Sequence, residues 1–339
     1  MAPHLKAVAM AEPSGSSSPP EGWPPGHLEK QVETADGLFS QDDPRVVSIL
    51  RTMDNSVEFV SFTGGRILAH IKSKLGYPAY YPLHPVQLKK PVKAVLMDLD
   101  GTTVHSEAFW IGIIQKTVAS LLEDPAFVLQ PKDLPFVSGH SVSEHLLYCI
   151  RTYCPDKRVE EARSEYYHFT RLEMRAVLEG RGLPGAFRPA PGIKEFLLSL
   201  KAQRIKIALV TSGLYEKAWP EILDAFRTLE LGDPADFYDT IITAGHALRP
   251  GAPGTLGELC PKPHPWLYAE AARVGLGLSF EERHHIVGIE DSGAGIMAVR
   301  LAGFPVIGVT GGNLIASGMH GFCHAVCQDF QEVLTHILP

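Results

Sequence analysis

Four short polar clusters in the chain carry residue types suited to chemistry: Asp98-Leu99-Asp100-Gly101-Thr102, Thr211-Ser212-Gly213, Lys262-Pro263 and Glu290-Asp291-Ser292. Two carboxylates set two residues apart suit a division of labour, one attacking and the other moving protons. A lysine brings a compact positive charge to anionic oxygens. An adjacent acidic pair supplies hard oxygen ligands of the kind a divalent cation prefers. Alone, Asp-x-Asp is equally the sequence of a solvated turn. Four such clusters at the ends of expected strands or beside a helix start, in this order, form a strong joint signal.

The elements that must position these residues are legible around them. Val92–Met97 is a short, nearly continuous apolar run broken only by Lys93, as expected of a strand buried on both faces. Similar runs follow at Ile205–Val210, Tyr238–Ala244, His285–Ile289 and Pro305–Val309, with helical patterns over Ile193–Ala202 and Gly293–Ala302. Strands alternating with helices indicate an α/β fold, a doubly wound, Rossmann-like parallel sheet. In such sheets ligands bind at the carboxyl edge, where the polar clusters fall.

The first two strands are too far apart for one crossover. The stretch between them reads helical at Glu107–Leu122, Val142–Ile150 and Val159–Leu178, the last stopped by Gly180. The expected organisation is a Pro/Ser/Gly-rich disordered leader at 1–27 and an extension at 28–90. A core at 91–106 and 190–339 then encloses a helical cap at 107–189. Within the extension, Val57–Phe62 reads as a strand, Ile67–Leu75 as a short helix ending at Gly76, and Tyr77–Pro85 as a packed linker. No role for the extension follows from its sequence.

The four clusters, with "VLMDLDGTTVHSEAFW" and "GIEDSGAGIMAVRLAGFPVIGV", resemble the haloacid dehalogenase superfamily, in its branch with a helical cap after the first motif. The likeness is to the sugar-phosphate phosphatase and β-phosphoglucomutase group and runs from about Val92 to the carboxyl end. The resemblance implies Asp98 as nucleophile, forming an aspartyl-phosphate, with Asp100 as general acid and then base. It implies Mg2+ on the Asp98 and Asp291 carboxylates and the Asp100 carbonyl, with Glu290 acting through a water. Thr211 would donate to a phosphoryl oxygen together with neighbouring N–H groups, Lys262 would sit between phosphoryl oxygens and carboxylates, and Gly101 would permit the turn. Thr102, Ser212 and Gly213 are expected at the phosphate, and the partner is a small phosphorylated metabolite.

Departures from the family pattern sharpen the expectation. Dehalogenases carry an aromatic residue where this chain has Asp100, which points to phosphoryl chemistry. β-Phosphoglucomutases carry a histidine where Trp110 stands, and an arginine in the cap loop that Ser138-Gly139-His140-Ser141-Val142 lacks. Both absences favour hydrolysis over the mutase reaction. His140 is the expected cap contact to substrate, with a plain surface histidine as the alternative. Trp110 reads either as lining the pocket or, as its spacing with Ile114 and Val118 suits better, as helix packing. Trp266 replaces the usual acid of the lysine motif, which places the start of the following helix in doubt. Arg249–Leu259 reads as a surface insertion.

Bulk properties exclude other classes. The chain has 339 residues and a formal net charge of -7, without the basic balance of a nucleic-acid binder. No run is apolar enough to span a bilayer, and Ala7–Ala11 is too short for a secretory signal. Five cysteines suggest reduced thiols and a cytoplasmic protein. Cys323, His324 and Cys327 are spaced like half a metal clip but have no second pair. His284 and His285 fall at a strand start, at the wrong end of the sheet for the site.

Overall fold

In the computed structural model of the protein, the described residues are 30–31, 34–35, 38–52, 56–71, 79–137, 142–244 and 260–339. The amino-terminal region forms an antiparallel sheet whose main strands are β1 (Val46–Arg51), β2 (Val57–Phe62), β3 (Ile67–Ile71) and β4 (Ala79–Pro82). Alternation sorts its side chains: Phe59, Ala69 and Ile71 face the rest of the protein, while Val60 joins Val46 and Ile49 on the outer side. Glu58 is buried between Arg51 and His70, its cross-strand neighbours, and accepts a hydrogen bond from Arg51 Nε at 2.8 Å.

This sheet corrects two expectations. Ile67–Ile71 is a strand, not the start of a helix through Leu75. Gly64 and Gly65, both at positive φ, close a hairpin that delivers the segment onto β2, where pairing on both sides overrides local propensity. Ala79–Pro82, inside the expected linker, is the edge strand beside it. Residues 72–78, the leader and the Arg249–Leu259 insertion lie outside the described residues.

The core sheet has six strands, all parallel: β5 (Ala94–Asp98), β6 (Lys206–Val210), β7 (Thr240–Ile242), β8 (Ile286–Glu290), β9 (Val306–Val309) and β10 (Ala325–Cys327). Their order is β7-β6-β5-β8-β9-β10, so β5 lies between β6 and β8. Every residue of β5 is buried because alternate side chains enter two different clusters. Val95 and Met97 join one layer with Leu209 and Ile289; Ala94 and Leu96 join the other with Val210 and Ile286. At roughly 25 cal/mol per Å2 of apolar area, this two-sided burial is what fixes strand position.

The first layer continues into the helical insertion. Helices α1 (Glu107–Leu122), α2 (Val142–Tyr153) and α3 (Val159–Leu178) bury Ile113, Leu146 and Tyr166 in the same cluster as α4 (Ile193–Ala202) and α5 (Tyr215–Leu229). Along α3 the buried residues Ala162, Tyr166, Thr170, Met174 and Val177 recur at helical spacing. The second layer holds α6 (Trp266–Glu270), α7 (Gly293–Leu301) and the inner face of the amino-terminal sheet; α8 (Phe330–Ile337) closes the chain against the first. Among the described residues no helix is long and apolar enough to cross a membrane.

Candidate active site

Strand register brings the polar clusters together. Val210 pairs with Asp98 and Ile289 with Met97, so Thr211 and Glu290 emerge on either side of Asp98 at the carboxyl edge. The chain then turns sharply. Gly101, at φ 86°, donates its N–H to Val104 O at 2.8 Å, and Thr103 Oγ1 donates to the Asp98 carbonyl at 2.5 Å. A Cβ on Gly101 would lie 2.2 Å from Asp291 Oδ2, so both the left-handed backbone and the close approach require glycine.

Asp98, Glu290 and Asp291 form a buried group whose carboxylate oxygens lie within 4.8 Å of one another. Lys262 Nζ contacts Asp98 Oδ1 and lies 2.6 Å from Glu290 Oε1. Glu290 also accepts from Tyr268 Oη at 2.5 Å and Ser292 Oγ at 3.2 Å. It is fully buried beside the amino end of α7, where Gly295 leaves it room: a Cβ there would overlap its carboxyl group. Burial pushes the Asp98 carboxyl well above its ordinary range, aided by Glu290 and opposed by Lys262. Burial and Glu290 likewise push Asp291 up to about 7. Burial disfavours the Lys262 charge, but Asp98 and Glu290 outweigh it and hold its pKa above the ordinary value.

Among the described residues, three carboxylates thus face one ammonium. An all-oxygen donor set with two uncompensated negative charges fits a hard divalent cation. Among the described residues this is the only group with the composition of a metal site. Cys323 and Cys327 pack into different layers, on opposite faces of the sheet, and so do not form a clip. His284 and His285 sit at the amino end of β8, where their Nδ1 atoms meet the carbonyls of Gln87 and Pro91.

Asp100 is exposed beside this group, with Ser106 Oγ donating to Oδ1 at 3.0 Å and Thr211 Oγ1 to Oδ2 at 3.2 Å. Thr211 Oγ1 also accepts from Gly213 N at 2.9 Å. Ser212 Oγ accepts from Lys262 N at 3.1 Å, tying the lysine segment to the β6 loop. Thr102 is buried with its hydroxyl unpartnered, and His140 lies outside the described residues.

Several neighbours escaped sequence reasoning. Tyr268 had no signal, because its partner is 22 residues away. Ser106 carried only its place in the first-motif segment. Glu221 had one: a charged residue in the apolar stripe of α5 that contains Ala218, Ile222 and Ala225. Burial and the Asp100 charge raise its carboxyl well above the ordinary value. Lys217, one turn earlier, holds Nζ 3.5 Å from the centre of the Trp110 ring. Trp110 is packed, as its spacing suggests, with an edge contact to Phe109.

The helix after Lys262 begins at Trp266 despite the missing acid. Trp266 Nε1 donates to Tyr81 Oη at 3.1 Å, and Tyr81 Oη lies 2.8 Å from His264 Nδ1. The substitution is thus an anchor point for the amino-terminal sheet.

The family model for haloacid dehalogenase-like hydrolases matches residues 92–303. Solved structures with a similar fold include a predicted phosphoglycolate phosphatase from Haemophilus somnus, at 20% identity and a TM-score of 0.52, covering 73% of this chain and 98% of that one. CbbY from Rhodobacter sphaeroides in complex with phosphate matches at 19% identity and a TM-score of 0.52, covering 73% and 99%. A mutant of the same CbbY, in complex with xylulose-(1,5)bisphosphate, matches at 19% identity and a TM-score of 0.50, with the same coverage.

Proposed function

The chain belongs to the haloacid dehalogenase-like hydrolases, and on that premise we propose that it is a magnesium-dependent phosphatase acting on a small phosphorylated metabolite. The observation that carries the proposal is Lys262 Nζ straddling Asp98 and Glu290, with Asp291 adjacent and Asp100 two residues on. Phosphate monoesters repel nucleophiles, so their cleavage needs fixed positive charge and positioning more than covalent novelty.

Asp98 is the nucleophile: a carboxylate oxygen attacks phosphorus, the ester P–O bond breaks, and Asp100 gives its proton to the leaving oxygen. Water then attacks the aspartyl-phosphate, Asp100 takes the water's proton, and inorganic phosphate leaves. Lys262 lowers the charge of the transferring group and holds Asp98 in position. Asp98, Asp291 and the Asp100 carbonyl would hold Mg2+, which supplies charge neutralisation at the phosphoryl oxygens when bound. Glu290, with Lys262, Tyr268 and Ser292 on its oxygens, fixes the lysine and would act on the cation through a water. Ser106 and Thr211 aim Asp100, and Thr211, Ser212 and Gly213 edge the phosphoryl pocket. CbbY, a protein of similar fold solved with phosphate and with xylulose-(1,5)bisphosphate, supports a phosphorylated sugar as the substrate class.

Phosphate release from a panel of sugar phosphates and related esters, with and without magnesium, tests the proposal. Magnesium-dependent release is expected. Conversion of hexose 1-phosphate to 6-phosphate without release would replace it with the mutase reaction.

A further inference from the structure

Lys217, Glu221 and Trp110 take no part in the chemistry above, yet they surround the residue that serves the leaving oxygen. Ser106 immediately precedes α1, and Thr211 stands just before α5; their hydroxyls hold the two oxygens of Asp100. The first turns of α1 and α5 therefore flank Asp100, carrying Trp110 and Lys217, with Glu221 one turn further along α5. On the hydrolase reading, that is the side from which the departing alcohol leaves.

Two of the polar atoms here are unsatisfied. Lys217 and Glu221 are four apart on one helix, a spacing that favours a bridge. Among the described residues neither forms an ion pair, and the Lys217 ammonium lies instead over the Trp110 ring. Glu221 is 1% exposed; the Ser106 hydroxyl and the Lys217 charge act on its carboxyl, but its Oε1 has no hydrogen-bond partner. Trp110 Nε1 is also buried without one. Unpartnered buried polar atoms are costly and rare in folded proteins, and at the mouth of a site they mark places for ligand atoms.

We infer that Trp110, Lys217 and Glu221 form a subsite for the leaving alcohol, and that this alcohol is polyhydroxylated. The inference rests on the hydrolase reading and deepens it. An ammonium and an indole N–H donate, while a carboxylate oxygen beside them accepts. Only groups that both donate and accept, as hydroxyls do, satisfy all three. A leaving group bearing its own carboxylate or second phosphate fits less well, because the Asp100 and Glu221 carboxyls already act on the single ammonium.

The test uses the full chain carrying Asp98→Asn, with magnesium, and calorimetric binding of sorbitol 6-phosphate, 2-phosphoglycolate and inorganic phosphate. Sorbitol 6-phosphate is expected to bind at least about tenfold more tightly than 2-phosphoglycolate. Adding Lys217→Met or Trp110→Phe should cut the ratio of sorbitol 6-phosphate to inorganic phosphate affinity by about tenfold. Lys217→Arg, which keeps a donor, should restore most of that ratio, and thermal unfolding checks that each variant is folded. Tighter binding of 2-phosphoglycolate, or an unmoved ratio in folded variants, overturns the inference and leaves the hydrolase reading standing. Absence of phosphate release from every ester by the unsubstituted enzyme removes the hydrolase reading, and the inference with it.

Discussion

The two halves of the site are built on opposite principles. On the strand-tip half, Asp98, Glu290 and Lys262 have partners within hydrogen-bond reach, and a divalent cation would supply the missing charge. On the half where α1 and α5 flank Asp100, Glu221 Oε1 and Trp110 Nε1 have no partner, and the Lys217 ammonium rests on an aromatic face. On the proposed reading the strand-tip half handles a phosphoryl group, which is the same in every monoester, so it can be completed in advance. On the same reading the α1–α5 half faces the part of the substrate that varies, and groups left unsatisfied there would be completed only by the right molecule.

Substitutions can break or sharpen this contrast. The largest effect is expected from Asp98→Asn, which should lower magnesium-dependent phosphate release by more than about 10⁴-fold while leaving the circular dichroism spectrum unchanged. Substantial turnover in that variant would remove Asp98 as nucleophile. Lys262→Ala strips the ammonium that contacts Asp98 and Glu290, and turnover should fall by about 10²–10³-fold. Its thermal midpoint should also drop, and should recover more with added magnesium than that of the unsubstituted protein.

Glu221→Gln is predicted to act with the opposite sign on stability. It removes a buried carboxyl whose ionisation burial opposes, and should stabilise the fold at neutral pH by about 1–2 kcal/mol while weakening substrate selection. The pH dependence follows from the raised folded-state value of Glu221. Near pH 4 the carboxyl is largely protonated in both folded and unfolded chains, so the variant gains little. As pH rises past the unfolded value of 4.5, the unfolded chain ionises first and the native protein loses stability that the glutamine variant keeps. Denaturant unfolding at pH 4 and pH 7.5 measures this, and a gain that shrinks with rising pH would contradict it.

The smallest effect is expected at the anchor of the amino-terminal sheet. Tyr81→Phe loses the contacts to His264 and Trp266, two and four residues beyond Lys262, and should reduce kcat by about threefold to tenfold with little change in KM. A change confined to KM would dissociate that sheet from the lysine.

Much of this was legible in the chain because the information was local. Asp98-Leu99-Asp100-Gly101 follows its own strand directly, and Glu107–Leu122, Val159–Leu178 and Ile193–Ala202 match observed helices end to end, since each carries a helical apolar stripe. The segment Ile67–Ile71 was misread for the complementary reason. Its five residues contain no decisive period, and its strand character comes from the two neighbours it pairs with. Tyr268 was invisible as a site residue because only the packing of α6 turns its hydroxyl onto Glu290. Trp266 looked like a defect in a motif until Tyr81, 185 residues away, supplied its partner.

The sequence by itself determined which side chains meet at the carboxyl edge, because strand ends bring motif residues there whatever lies between them. Only the tertiary structure decided which atoms hold which. That Lys262 divides itself between Asp98 and Glu290, that Asp100 is steadied by Ser106 and Thr211, and that Lys217 turns from Glu221 to Trp110 are outcomes of burial and register. Hydrogen bonds and ion pairs act over a few ångströms, and residues far apart in the chain come within that range only once the layers have packed.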